Sequence, residues 1–342
     1  MTTPRVMITG AAGFIGSNLT MTLINRGYEV VAFDNLSQGT LDNLTTVADH
    51  PRFSLVEADI RDKDAVTKAA EGCQAIVHLA AYKIPRYSDA YDTLMINALG
   101  SEHVAQAAIA TKAKIIAAST SDVYGKNPQV PFNENSNLVV GNPDVKRWSY
   151  AISKMFEEQL LFALHERFGL DVVLLRFFGG YGPHQNMTWW GGPQSVFINH
   201  ALDDQAIPIH GDGQQTRSFT YVGDHVAGIT STIELPAANN LVFNLGATQE
   251  ITIEGLARLI WRLVRGEHEQ AKIEFIPYES FGKYEDVMRR VPDITRARTL
   301  LGFEPQTDLE TGLRRTILWQ VARRRALGIP TIDPVCLEAE TL

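Results

Sequence analysis

The sequence predicts an α/β fold, a doubly wound parallel sheet of Rossmann type with a smaller C-terminal α/β lobe. Three observations carry that expectation. Short runs rich in Val, Ile and Leu recur at Arg5–Thr9, Glu29–Asp34, Phe53–Glu57, Ala75–Leu79, Lys114–Ser119 and Asp171–Phe177. The segments between them repeat apolar residues at helical spacing, so strands and helices alternate as in a parallel sheet. The runs are continuously apolar, which requires helices on both faces.

The first strand leads into Thr9-Gly10-Ala11-Ala12-Gly13-Phe14-Ile15-Gly16, and an amphipathic run continues to Ile24. This reads as strand, tight turn, helix. Three glycines three apart remove the side chains that keep a backbone away from a pyrophosphate, and the N–H groups of the new helix face the anion. The spacing G-x-x-G-x-x-G is one residue longer between its first two glycines than the fingerprint of the larger dehydrogenases.

Asp34 ends the second strand, where an acid accepts from the adenosine ribose hydroxyls and repels a 2′-phosphate. Asn35-Leu36-Ser37 supplies no cation to reverse that preference, so NAD is expected over NADP. Asp59-Ile60 ends the third strand, where an acid can take the adenine amino group; a helix N-cap at Asp62 or Asp64 is compatible with it. His78-Leu79-Ala80-Ala81 ends the fourth, with small residues where the backbone must approach the cofactor, and His78 reads as a core group.

Ser119-Thr120-Ser121-Asp122 follows the fifth strand, and Tyr150 and Lys154 lie four apart in the helical stretch Trp148–Ala163, on one face. Hydroxyls from a strand end and a phenol from the next helix can converge on one substrate oxygen. A tyrosine with a free pKa of about 10 must drop by about 3 units to act as a base near neutrality, roughly 4 kcal/mol. A cation about 4 Å away supplies that at an effective dielectric of about 20. Lys154, with the charge of an oxidised nicotinamide beside it, is expected to suffice. Tyr150 then removes the proton from a carbinol, Thr120 holds its oxygen, and hydride passes to NAD.

After Phe178 the pattern loosens into Gly-, Pro- and Trp-rich sequence, followed by a helix and by strands at Ile207–His210 and Phe219–Val222. The expected division is a dinucleotide domain at 1–178 with 219–247 returning to it, a substrate lobe at 179–218 and 248–329, and a peripheral tail at 330–342. Asp224–Glu234 reads as a returning helix and Lys272–Ile276 as one further strand. The segment Asn186–Pro193, with Trp189-Trp190 beside Gly191-Gly192, reads either as a loop that stacks on the substrate or as a hydrophobic plug between the lobes.

With 342 residues, 45% hydrophobic and 20% charged, the chain can bury a sizeable core. A net charge of −8 and no basic run longer than Arg323-Arg324-Arg325 argue against nucleic acid. Cys73 and Cys336 form neither a disulfide framework nor a metal-ligand spacing, so no metal is expected. The N-terminus enters the first strand directly and no apolar stretch is long enough for a bilayer, so a cytoplasmic protein free of the membrane is expected.

Taken together, these stretches resemble the extended short-chain dehydrogenase/reductase family, and within it the nucleotide-sugar epimerases and dehydratases. The resemblance rests on TGAAGFIG at Thr9–Gly16, Asp34-Asn35, Ala58-Asp59-Ile60, HLAA at His78–Ala81, Asn97, STSDVYG at Ser119–Gly125, YAISK at Tyr150–Lys154, LRFFGGYGP at Leu175–Pro183, GDGQQTRSFTYV at Gly211–Val222 and RRVPDI at Arg289–Ile294. It implies a tightly held NAD, a nucleoside-diphosphate sugar, UDP-linked, between the lobes, and oxidation at sugar C4. It also implies a homodimer through two helices per subunit, about Ala98–Ala110 and Tyr150–Phe168.

Cofactor contacts implied by the resemblance fall to Gly10, Gly13, Phe14, Ile15, Gly16, Asp34, Asn35, Asp59, Ile60, Leu79, Ala80, Ala81, Lys83, Asn97, Ser119, Tyr150, Lys154 and Phe177. Substrate contacts fall to Ser121, Gly179, Gln194, Ser195, Arg217 and Arg290, the two arginines being similar to those that bind the diphosphate. Relatives commonly carry Asn where this chain has Gly179, so a substrate contact is missing or replaced by backbone, and room is added near the sugar.

Three fates are open to a C4 ketone. Dehydratases resemble one another in Asp-Glu after the threonine, whereas this chain has Ser121-Asp122. Decarboxylases look like Thr-Ser-Glu there, and Asp122 is one methylene shorter, although Arg147-Trp148-x-Tyr150 is similar to a decarboxylase. Lys83 sits where UDP-galactose 4-epimerases carry a cofactor-contacting lysine, which makes a 4-epimerase of a UDP-hexose or UDP-hexuronate the first expectation and UDP-glucuronate decarboxylase the second, with Asp122 the fourth catalytic candidate. A non-catalytic NAD-binding regulator would not need Thr120, Tyr150 and Lys154 together.

Overall fold

A computed structural model describes residues 3–83 and 89–334. Seven parallel strands form the main sheet: β1 (Arg5–Thr9), β2 (Glu29–Asp34), β3 (Phe53–Glu57), β4 (Ala75–His78), β5 (Lys114–Thr120), β6 (Val172–Phe177) and β11 (Leu241–Leu245). Their spatial order is β11-β6-β5-β4-β1-β2-β3, so the chain reverses direction of growth between β1 and β4. That switch point is where a doubly wound sheet leaves a crevice outside its carboxyl ends.

Successive residues of each inner strand serve opposite faces. Ile8, Ala32, Val77, Ile116 and Leu175 pack on α1 (Phe14–Asn25), α6 (Val222–Glu234) and α8 (Thr295–Leu301). Met7, Val31, Ile76, Ile115 and Leu174 pack on α2 (Lys63–Ala69), α3 (Ala90–Thr111) and α4 (Trp148–Phe168). Each such side chain contributes about 1.5–3 kcal/mol by leaving water. The edge strand β3 departs from the expected two-sided burial: Ser54, Leu55 and Glu57 are exposed, with no further strand or helix among the described residues over them.

The seventh strand, β11, was not anticipated from its sequence. Its register on β6, from Leu241 opposite Val173 to Leu245 opposite Phe177, closes the sheet after α6 returns. Three smaller sheets follow the main one: β7 (Gly180–Tyr181) with β10 (Thr220–Tyr221), β8 (Ile207–His210) with β13 (Ile273–Ile276), and β9 (Thr216–Ser218) between β12 (Glu250–Thr252) and β14 (Arg289–Arg290). Beside them, α5 (Pro193–Leu202), α7 (Ile253–Arg265) and α9 (Leu309–Ala326) enclose a separate core that includes Phe197, Ile209, Trp261 and Ile317.

The tail expected to be peripheral is partly docked. Arg324 donates to the Pro330 carbonyl at 2.7 Å, and Ile332 packs on the α5–α7–α9 core. Cys336 and the rest of the tail lie outside the described residues. Among those residues no helix is long and apolar enough to cross a membrane.

Candidate active site

The carboxyl ends of β1, β2, β4, β5 and β6 open into one cleft of about 640 Å³. At one end is the glycine turn. Gly10 has a left-handed φ of +71°, and a Cβ there would lie 2.9 Å from the Ala80 nitrogen. A Cβ on Gly16 would overlap the Gly10 carbonyl oxygen. No side chain caps the start of α1, so its first N–H groups are left for an anion, as a dinucleotide pyrophosphate requires.

Asp34 closes this half of the cleft. One carboxylate oxygen accepts from the Ala12 N–H at 2.9 Å and the other from the Leu36 N–H at 2.8 Å. Each oxygen keeps a second lone pair for a ribose hydroxyl. Burial raises the Asp34 pKa, and the two backbone donors oppose that rise. Phe14, Ile15, Asn35, Ile60, Leu79, Ala81 and Phe177 also line the cleft.

Two expected cofactor contacts are redirected. Asp59 lines the cleft, but its oxygens accept from Arg61 Nε, the Arg61 backbone, Arg61 NH2 and Asn35 Nδ2, all within 2.9 Å. Those four donors occupy its lone pairs and hold its pKa well below the usual range. The helix cap is Asp62, which accepts from Asp64 and Ala65. Asn97 lies behind the cleft: it exchanges hydrogen bonds with the Tyr82 backbone at 2.8 and 3.1 Å and donates to Ser153 Oγ at 2.9 Å. It joins the loop after β4 to α4 rather than touching the cleft.

At the other end Thr120, Ser121, Asp122 and Tyr150 line the wall together with Ser119, Lys83 and Arg290. Thr120 Oγ1 accepts from the Asp122 N–H at 3.2 Å, so its hydroxyl starts the short helical turn Ser121–Tyr124. Ser119 donates to buried Glu158 at 2.5 Å, and Glu158 is gripped in turn by both ends of the Arg176 guanidinium. His78 is the core group expected of it: Thr9 bonds its Nδ1 at 2.7 Å, and burial first, then Lys154, lower its pKa to about 3.

Of the two cations expected to activate Tyr150, Lys154 and the oxidised nicotinamide, the lysine is held by a carboxylate. Lys154 is buried and its Nζ donates to Glu157 at 2.6 Å, while burial, Asp122 and Glu157 all raise the Tyr150 pKa.

The arginines also differ from expectation. Arg290 NH1 lies 2.8 Å from Asp122 Oδ1, and Arg147 NH2 lies 3.2 Å from the same oxygen. Arg147 NH1 and Arg217 NH2 share Asp286 Oδ1 at 3.1 and 3.0 Å. Arg217 stands behind the cleft wall, paired across β14 and β9 with Arg290. Burial and its two arginine neighbours lower its pKa to about 10, against the pull of Asp286. The Asp122 pKa is lowered: burial raises it, but Arg290, Arg147 and Arg217 outweigh that. Asp286 and Tyr284, to which the sequence assigned no role, and Arg147, which it marked only as similar to a decarboxylase, complete this cluster. Arg147 lies three residues before Tyr150, a spacing that already puts both on one helix face.

Gly179 adds no room. Its φ is +37°, and a Cβ would overlap the Ser218 carbonyl oxygen, so backbone fills the space of the absent side chain. Gln194 lines the cleft from the first turn of α5, whereas buried Ser195 gives its carbonyl to Gln320 at 3.0 Å and does not line it. Trp189 stacks on His210 with ring centroids 4.5 Å apart and packs on the α5–α7–α9 core. Trp190 meets Tyr82 edge-on at 5.5 Å. The tryptophans anchor the loop, and Gly191 and Gly192 present its backbone to the cleft.

The family model described as GDP-mannose 4,6 dehydratase matches residues 7–316. The UDP-N-acetyl-alpha-D-glucosaminuronate decarboxylase of Bacillus cytotoxicus is 34% identical over 321 residues, 92% of this chain and 97% of that one. UDP-glucuronic acid decarboxylase 6 of Arabidopsis thaliana is 33% identical over 329 residues, 95% of this chain and 90% of that one. Among solved structures, a UDP-glucuronic acid 4-epimerase from Bacillus cereus, in complex with NAD, superposes with a TM-score of 0.83 at 26% identity, covering 93% of this chain and 99% of its own. The glycine cradle and Asp34 fit that cofactor. The chain belongs to the GDP-mannose 4,6-dehydratase family, within the NAD-dependent nucleotide-sugar epimerases and dehydratases of the extended short-chain dehydrogenase/reductases.

Proposed function

We propose that the protein decarboxylates a UDP-hexuronate through a 4-keto intermediate. The observation that carries this reading is the pair of guanidiniums, Arg147 and Arg290, flanking Asp122 beside Thr120 and Tyr150. In a hexuronate the carboxylate sits on C5, next to the carbon those hydroxyls act on, so cations at this end of the cleft suit it. The decarboxylases among the relatives support the same choice over 4-epimerisation.

NAD, which the glycine turn and Asp34 would hold, would supply the hydride acceptor and donor for C4. Tyr150 takes the proton of the C4 hydroxyl, and Thr120 holds the oxygen. The resulting β-keto acid loses CO₂: the C5–C6 bond breaks and its electron pair moves onto the C4 oxygen, where Thr120 and the protonated Tyr150 donate. A proton then adds at C5. Asp122 fixes both arginines, and its own charge opposes the substrate carboxylate until the C5–C6 bond breaks, when neutral CO₂ departs and the negative charge passes to the C4 oxygen.

The second reading is 4-epimerisation, favoured by Lys83 on the cleft wall. We also infer a homodimer through α3 and α4, whose outer faces expose Tyr91, Leu94, Met95 and Leu99 beside Ile152 and Phe156. The deciding experiment incubates the protein with UDP-glucuronate labelled at C6, and separately with UDP-N-acetylglucosaminuronate, following sugars by NMR. Labelled CO₂ with a UDP-pentose or its 4-keto form is expected. A C4 epimer without CO₂ transfers the assignment to the second reading.

A further inference from the structure

The α4 helix carries a buried carboxylate that the chemistry above does not use. Glu157 follows Lys154 by three residues and Tyr150 by seven, so all three lie along one face of α4. Glu157 and Lys154 are each 1% exposed, and the Lys154 ammonium lies 2.6 Å from Glu157 Oε2. The other oxygen, Oε1, accepts from Ser101 Oγ on α3 at 3.0 Å and lies 3.5 Å from His78 Nε2 on β4.

The protons of this chain can be assigned one by one. Thr9 Oγ1 accepts from the Ala80 N–H at 3.2 Å, so its own hydroxyl is free to donate to His78 Nδ1 at 2.7 Å. Neutral His78 then carries its proton on Nε2, directed at Ser101 Oγ at 3.3 Å. Ser101 passes its hydroxyl proton to Glu157. Every donor in the row points toward the carboxylate, which is what an ionised Glu157 requires. The row begins at the strand that feeds the glycine turn and ends at Lys154, one helical turn after Tyr150 on α4.

An anion in this place has two effects on Tyr150. It fixes the Lys154 ammonium on one side of the helix, and it cancels much of the field that ammonium would exert on a phenolate. Tyr150 is also faced by Asp122 from the turn after β5, and Arg147, Arg290, Arg217 and Lys83 act on Asp122 in turn. His78 is held neutral by burial and does not offset Glu157.

We propose that Glu157 is a positioning residue that holds Lys154 and sets, through it, the pH above which Tyr150 serves as the base. The inference rests on Tyr150 being that base in the proposed function, but not on which reaction follows. Its consequence is a deliberately high acid limb.

The test is a pH titration of tyrosinate absorbance on the NAD-loaded protein without any sugar nucleotide, with Tyr150→Phe subtracted to isolate the one phenol. Glu157→Gln, which removes the charge at constant size, is expected to move that titration down by about one pH unit. The acid limb of kcat/KM for whichever UDP-sugar turns over moves the same way. Glu157→Ala is the second variant, because it leaves room for water beside Lys154 instead of an amide facing its ammonium. A titration that stays in place or moves up in the folded variants overturns the proposal, since a purely structural Glu157 would change melting temperature alone. A shifted titration with no decarboxylation leaves Glu157 assigned and rejects the proposed function separately.

Discussion

Replacing Asp122 with Asn removes one negative charge from between two guanidiniums while keeping the shape of the side chain. Arg290 and Arg147 stand 2.8 and 3.2 Å from the affected oxygen. Unit charges about 4 Å apart interact by roughly 4 kcal/mol at an effective dielectric of about 20. The Asp122 side chain is 27% exposed, and desolvation offsets most of that attraction, leaving a net stability loss of about 1–2 kcal/mol. Arg147 retains Asp286, so the wall should stay folded and melting should fall by only a few degrees.

Turnover should change far more. With Asp122 neutral, the guanidiniums hold the substrate carboxylate as their main anion, and the repulsion that favours its departure is gone. The expectation is a fall in kcat of about 100-fold, or roughly 2.7 kcal/mol of barrier, with KM unchanged or lower. The assay is release of labelled CO₂ from C6-labelled UDP-glucuronate under single-turnover and steady-state conditions. CO₂ release within about threefold of the parent would refute the decarboxylation argument, and so would a loss confined to KM.

Two further outcomes follow from the geometry. Gly16→Ala places a methyl against the Gly10 carbonyl oxygen, so the variant should lose about 1–3 kcal/mol of stability and most of its NAD-induced thermal shift; a normal shift would contradict the phosphate-cradle reading. Burial holds His78 at about 3 and His225 at about 4, below the free value of 6.5. Unfolding therefore takes up protons. The stability these histidines contribute is complete above pH 6.5 and declines as pH falls toward 4, so the urea midpoint should be lower at pH 5 than at pH 7.5, and equal midpoints would count against it.

Local patterns in the chain were enough to determine its scaffold. The alternation of apolar runs with helical segments, the glycine turn, Asp34 at a strand end and the four-residue step from Tyr150 to Lys154 are all short-range. Sequence expresses such features directly, because burial and dihedral preference act over a few residues. Glu157, seven residues after Tyr150, was within reach of the same reasoning. Tertiary structure decided which charges meet. Arg147 finds Asp286 across 139 positions, and the sheet order, not spacing, brings them together. β11 becomes a strand through its register on β6, and Ser218 fills the side-chain space beside Gly179. Asp59 is paired with Arg61, which folds back on it, and Lys154 turns to Glu157, a carboxylate within reach of its buried ammonium. Each outcome is a competition among polar groups for partners in a low-dielectric interior, and only the packed chain fixes which partner is within reach.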